Sequence, residues 1–182
     1  MDYVIKYPGT PFFTGPQLKS ADAVKWLRTH GIRTVITVYP LSDSARSELR
    51  KQKMRFRDLS RQFDRSVGVS SKNDDWFDFF SRFIRPRLME WVDKGAVSFH
   101  CQAGIHKTPS MAVMAMNESG LNGRIVQWAI QSATSIPNPN RKLRQRYVHN
   151  FAPYDIDRLM KKYQEYGQKI SVARHMPRTR HK

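Results

Sequence analysis

The chain has 182 residues, one cysteine and a formal net charge of +17, from 32 Lys and Arg against 15 Asp and Glu. A single cysteine excludes an internal disulfide framework and any multi-cysteine metal site, and it favours an intracellular, reducing compartment. No apolar run approaches membrane-spanning length, and the first 15 residues lack the basic-then-apolar order of a signal peptide, so we expect neither feature. We expect no metal and no cofactor. The excess positive charge predicts an anionic ligand or partner.

The first half of the chain alternates predicted helices and strands. In chain order these are a helix over 16–31, a strand over 32–38, a polar helix over 43–53, a strand over 54–59 and a loop over 60–72. Ser20 is the expected N-cap of the first helix and Gly31 its end, because these residue types favour helix starts and stops. Either Ser42 or Asp43 is the expected N-cap of the second helix.

The second half is mostly helical. It is predicted to contain a helix over 73–95, a strand over 96–101, helices over 107–119 and 123–135, a break over 136–140 and two basic amphipathic helices over 140–151 and 153–167. Pro86 should kink or divide the first of these helices. This order predicts one α/β domain with a central, mostly parallel sheet of four to five strands flanked by helices.

Positive charge is densest towards the end of the chain. Residues 141–182 carry 12 Lys and Arg against 3 Asp and Glu, a net charge of +9. We therefore predict a domain over 1–152 followed by a basic helical extension over 153–182. Nucleic acid or an acidic protein is the partner expected for that extension. A second dense run over 46–65 holds 8 basic and 3 acidic residues, which also favours an acidic or multiply phosphorylated ligand.

The segment HCQAGIHKTPS, residues 100–110, places the only cysteine between a predicted strand and a predicted helix. If the helix begins near Lys107, the loop over 102–107 turns unpaired backbone N–H groups towards one concavity at the positive end of the helix dipole. Such a nest binds a phosphate-sized anion. The same field stabilises a thiolate at Cys101. A thiolate beside a phosphate cradle implies a cysteinyl-phosphate intermediate.

Individual residues of this loop have separate expected roles. Gly104 lets the backbone pass close to the anion, Lys107 adds a full positive charge, and the hydroxyl of Thr108 can donate to the sulfur. The residues expected to bind phosphate are Gln102, Ala103, Gly104, Ile105, His106 and Lys107.

Two other interpretations of the loop fit its residues less well. A nucleotide-binding P-loop needs glycine directly before the Lys-Thr pair, and His106 stands there instead. A buried structural cysteine at the end of a strand, followed by an ordinary helix, is the alternative without a function. It does not account for the glycine, the lysine and the threonine that accompany the thiol.

The stretch HCQAGIHKT resembles the His-Cys-x5-Arg-Ser/Thr loop of cysteine-dependent phosphatases, in particular the dual-specificity branch. Residues 15–38 look like the opening helix and strand of that branch, and residues 110–151 are similar to the helices after its loop, so the resemblance covers roughly 12–152. It implies a phosphatase-like fold. It also implies hydrolysis of phosphomonoesters, on phosphoproteins or another acidic phosphorylated substrate, through a cysteinyl-phosphate intermediate.

The resemblance also implies a general acid, and the sequence departs from the family pattern at one position. The family uses an aspartate to protonate the leaving oxygen; Asp58 stands where this branch keeps it, and Asp64 is the alternative. The departure is Lys107, because the family has arginine there, forked to two phosphate oxygens, whereas lysine is a single point donor. The implied activity is therefore weakened. The alternative function is a catalytically inactive phosphatase-fold protein that serves as a structural or binding component of a nucleoprotein or viral particle.

Overall fold

A computed structural model describes residues 3–66, 73–104, 107–137 and 159–165. Its strands are β1 (Tyr3–Lys6), β2 (Phe12–Gly15), β3 (Ile32–Thr37), β4 (Arg55–Asp58), β5 (Ala96–His100) and β6 (Thr134–Pro137). Within these ranges they form one six-stranded sheet in the order β4-β3-β5-β2-β1-β6. The pairings from β4 to β2 are parallel, and β1 pairs antiparallel with β2 and β6. The prediction of an α/β fold around a mostly parallel sheet is confirmed.

The described helices flank this sheet. They are α1 (Ala21–Thr29), α2 (Asp43–Lys51), α3 (Ser60–Ser66), α4 (Asn73–Phe83), α5 (Arg85–Asp93), α6 (Lys107–Glu118) and α7 (Gly123–Gln131), followed by a helical segment over 159–165 that we call α8. No helix in the described ranges is both long enough and apolar enough to cross a membrane.

Local sequence signals set several of these helix boundaries. The Ser20 side chain accepts a hydrogen bond from the third residue beyond it and caps α1 as predicted. Ser42, rather than Asp43, is the N-cap of α2. Pro86 lies in the first turn of α5 and divides the predicted long helix from α4, because its ring and missing N–H stop a continuing helix.

Two predicted segments were wrong and two strands were missed. Residues 60–66 form α3, although the sequence predicts a loop; they are too polar and too short to show a helical period. Residues 134–137 form β6, which pairs with β1, although the sequence predicts the end of a helix at 135 and a break from 136. Strands β1 and β2 were not predicted; they pair with each other, and their other partners, β6 and β5, lie more than 80 residues away in the chain.

The core lies on both faces of the sheet. Helices α1 and α2 bury apolar side chains on one face, and α3 to α8 do so on the other. In α8, Met160 and Tyr163 are buried in the core between the sheet and helices α3 to α7. The Tyr163 hydroxyl donates to Glu118 of α6 at 2.6 Å. The described part of the predicted extension therefore packs against the domain. The predicted helix over 140–151 and the boundary at 152 lie outside the described residues.

Candidate active site

The candidate site lies where parallel strands end side by side. In the pairing register, Thr37 at the end of β3 lies opposite His100 of β5 and Asp58 of β4. Cys101 follows β5 directly, and α6 begins six residues later at Lys107. Open α/β sheets place their ligands beyond such strand ends. The fold thus brings the cysteine, the start of a helix and Asp58 to one edge of the sheet.

The sulfur of Cys101 is the focus of this edge. The backbone N–H of Gly104 donates to Sγ at 3.2 Å, which stabilises negative charge on sulfur. Thr108 is buried, and its Oγ1 lies 4.0 Å from Sγ. The Cys101 side chain is itself only 5% exposed. The described part of the loop therefore directs the N–H of Gly104 towards a sheltered thiol, and that thiol donates weakly to the Thr108 hydroxyl oxygen of α6.

The loop is held against the segment that follows β2. Gly104 has φ +75°, and a Cβ atom added to it would lie 2.6 Å from the backbone N of Pro16 and 2.7 Å from the carbonyl carbon of Gly15. The N–H of Gln17 donates to the carbonyl of Gln102 at 3.2 Å. Glycine is required at 104 because both the backbone conformation and the close packing exclude a side chain.

His100 also holds the segment that follows β2, through a hydrogen bond to Pro16. Its Nδ1 donates to the Pro16 carbonyl at 2.8 Å, and Nε2 accepts from the Ser98 hydroxyl at 2.8 Å. Burial lowers the pKa of His100 from 6.5 to about 4. The ring is therefore neutral at pH 7, and its tautomer follows from the carbonyl, which can only accept.

We expect His100 to make the fold sensitive to mild acid. The pKa of His100 is lower in the folded protein than in the unfolded chain, so the unfolded chain takes up a proton first as the pH falls. The contribution of His100 to stability is therefore complete above pH 6.5 and is lost as pH falls towards 4. The free energy of unfolding should decrease by up to about 3 kcal/mol over this window. Urea unfolding at a series of pH values measures it. His100→Asn, which keeps a donor for Pro16 but does not titrate, should flatten the profile; an unchanged slope would contradict the assignment.

Asp58 is surrounded by donors. Its Oδ2 accepts from the Arg46 guanidinium at 2.6 Å and from the N–H of Leu41 at 3.4 Å. Its Oδ1 accepts from the hydroxyl of Ser60 at 2.6 Å and from the N–H of the same residue at 3.2 Å. Burial alone would raise the pKa of Asp58, but these hydrogen bonds outweigh it and the pKa is lowered. The carboxylate is thus held in its charged form at the start of α3.

Lys107 contacts α3 rather than a carboxylate in the described part of the chain. Its Nζ lies 4.4 Å from the centroid of the Phe63 ring. That ring is 2% exposed and packs against Trp76 and Phe79 of α4, with centroid distances of 4.9 Å and 5.3 Å. Asp64, the next residue of α3, is exposed.

The remaining predicted site residues are placed as follows. Gln102 and Ala103 are exposed at the loop, while Ile105 and His106 lie outside the described residues. The sequence did not single out Phe63, because a lone aromatic residue in a polar stretch gives no signal of its partner. The described residues contain no group of His, Cys, Asp or Glu side chains that could hold a metal ion.

The surface along β4 and α3 is strongly positive. Its exposed arginines are Arg55, Arg57, Arg61 and Arg65. None of them forms an ion pair with another residue of the described ranges, whereas Arg46 is paired with Asp58. A surface of this kind suits an anionic ligand.

The chain was compared with known proteins. No family model and no curated protein matches it. Among solved structures, P. aeruginosa TpbA is 20% identical, covers 67% of both chains and has a TM-score of 0.45. A cysteine-to-serine variant of TpbA in complex with pTyr is 17% identical over 85% of this chain and 87% of its own, with a TM-score of 0.42.

A candidate phosphatase from Shewanella putrefaciens CN-32 is similar over a longer range. It is 14% identical over 91% of this chain and 89% of its own, with a TM-score of 0.50. At this identity the likeness concerns the fold alone. The chain has a phosphatase-like α/β fold.

Proposed function

We propose that the protein is a cysteine-dependent phosphatase of the dual-specificity type. Its substrates would be phosphomonoesters on phosphoproteins or on another acidic phosphorylated carrier. The observation that carries the proposal is the N–H of Gly104 directed at Sγ of Cys101, at 3.2 Å, in the loop that leads into α6. A charge-stabilised thiol at a helix N-terminus combines a nucleophile with an anion site.

The reaction has two steps. The thiolate of Cys101 attacks phosphorus, a P–S bond forms, and the P–O bond to the leaving group breaks as that oxygen takes a proton from an aspartic acid. Water then attacks phosphorus, its proton returns to the aspartate, the P–S bond breaks, and inorganic phosphate leaves. Lys107 and the N–H groups of the loop would balance the charge on the phosphoryl oxygens. Lysine would do so as one point charge, so turnover should be slower than with a guanidinium fork.

Trapping the intermediate tests the proposal directly. The protein is mixed with an aryl phosphate, quenched in acid and digested, and the peptide that contains Cys101 is examined for one added phosphoryl group. Because Cys101 is the only cysteine of the chain, a phosphorylated thiol can have only one location. Absence of the adduct together with absence of turnover would contradict the proposal.

The proton donor is best assigned to Asp64, although Asp58 is the residue that the family resemblance indicates. A general acid must hold a proton before it donates one, and the four hydrogen bonds to Asp58 favour its charged form. Asp64 is exposed, and it adjoins Phe63, which contacts Lys107. Asp58 would instead anchor the start of α3.

Leaving groups of different basicity separate the two aspartates. Asp64→Asn should lower turnover of an aryl phosphate with a poor leaving group by about 10²–10⁴, with little effect on one whose leaving group needs no proton. Asp58→Asn should lower both rates alike, through loss of the Arg46 contact and of stability. The reverse pattern, with leaving-group dependence in Asp58→Asn, would restore Asp58 as the acid.

A further inference from the structure

We propose that Phe63 is a positioning residue for Lys107, holding its ammonium group at the rim of the phosphate loop. The inference rests on the proposed function and adds a residue that the loop motif does not contain. It starts from one contact, the 4.4 Å between Nζ of Lys107 and the centroid of the Phe63 ring. An ammonium this close to a ring face is attracted by the ring quadrupole.

The ring is a fixed platform and the lysine is not. Phe63 is 2% exposed and is held by the rings of Trp76 and Phe79. Lys107 is exposed at the first position of α6, and the described part of the chain gives its ammonium no acidic partner. A lysine side chain has four rotatable stem bonds, and unrestrained it would spread its charge over many positions. The contact selects one of them.

The contact with the Phe63 ring compensates in part for the absence of a guanidinium fork in lysine. A guanidinium is planar and directs a fork of donors, so little freedom is lost when it binds phosphate. An ammonium has no such fork. When the Phe63 ring restrains the Lys107 stem in advance, less conformational entropy remains to be lost on ligand binding. Phe63 would thus act through Lys107, without touching the phosphate itself.

The test is a double-mutant cycle on the affinity for inorganic phosphate, measured by calorimetry in the Cys101→Ser chain. Binding is used because it reports on Lys107 whether or not the protein turns over. Phe63→Leu should weaken binding about two- to five-fold, the range of an exposed cation–π contact. Phe63→Tyr, which keeps the ring, should retain the affinity of the parent Cys101→Ser chain. In a Lys107→Met background Phe63→Leu should have no further effect.

Phe79→Leu is the matched control. It removes a ring from the same cluster, with a T-shaped contact of 5.3 Å to Phe63, whereas the Lys107 ammonium lies over the Phe63 ring. It should reduce stability without changing phosphate affinity. In wild type, the Lys107 methylene protons should also resonate upfield in NMR spectra because of the ring current, and Phe63→Leu should abolish that shift.

Several results would overturn the inference. They are an equal loss of affinity in Phe63→Leu with and without Lys107, the same loss in Phe79→Leu, and unchanged affinity in Phe63→Leu. If wild type binds phosphate but does not turn over an aryl phosphate, the proposed function is wrong, and the double-mutant cycle still decides the role of Phe63. Absence of phosphate binding in the parent Cys101→Ser chain would remove both.

Discussion

Cys101→Ser is expected to reduce aryl-phosphate turnover by a factor on the order of 10⁴ or more, that is, to background. The described histidine next to this position cannot activate a serine hydroxyl, because His100 is buried and already donates to Pro16 and accepts from Ser98. The N–H of Gly104 can stabilise a thiolate, but it cannot remove a proton from a hydroxyl. The measurement is steady-state release of phosphate by the two proteins, purified in parallel.

Phosphate binding should respond in the opposite direction. Serine leaves the donors of the loop in place and is neutral, whereas the proposed thiolate would repel an anion, so affinity for inorganic phosphate should be kept or increased. Alkylation of the single thiol in the wild type gives an independent control, and bound phosphate should slow it. If wild type and Cys101→Ser release phosphate equally slowly while both bind it, the catalytic proposal fails. The alternative of a phosphatase-fold binding or structural component would then take its place.

Features that depend on neighbouring residues in the sequence were predictable. Ser20 caps α1, Pro86 separates α4 from α5, and the strand that ends before Cys101 leads through a glycine loop into α6. Each rests on the backbone preference of one residue type or on periodicity within a short window. The same local pattern was sufficient to place the thiol at a helix N-terminus and at the carboxyl edge of a parallel sheet.

Features that depend on distant residues were not predictable in the same way. Strand β2 pairs with β5 and β1 pairs with β6, and both of these partners lie far away in the sequence. The contact between Phe63 and Lys107 joins residues 44 positions apart, and nothing near either residue indicates the other. Our proposal for Asp58 differs from the prediction made from the sequence for the same reason. Its place in the sequence suits an acid, whereas its charge partner Arg46 comes from a separate helix.

Gly104 was predictable from the local sequence, but its packing against distant residues was not. Its substitution is the second change for which we expect a large effect. Sequence predicts a glycine where the backbone must approach an anion, and the fold adds that Gly15 and Pro16 occupy the space of a side chain. Gly104→Ala would place a methyl group 2.6 Å from the Pro16 nitrogen and 2.7 Å from the Gly15 carbonyl carbon. Both are backbone atoms of a segment that His100 holds, so the loop itself must move. The N–H at 104 would then no longer point at Sγ.

We therefore expect Gly104→Ala to lower turnover by about 10²–10³, the usual effect of losing one oriented donor at a site of developing charge. Gly120→Ala is the matched control, because Gly120 also has a positive φ, +79°, but no atom lies within 4 Å of its added Cβ. Both variants carry the left-handed backbone strain of about 1–2 kcal/mol, and only Gly104→Ala carries the clash. Thermal unfolding measures the shared strain, and phosphate release measures the loop. Similar turnover in the two variants would mean that Gly104 matters only for stability, and that its N–H does not support the thiolate.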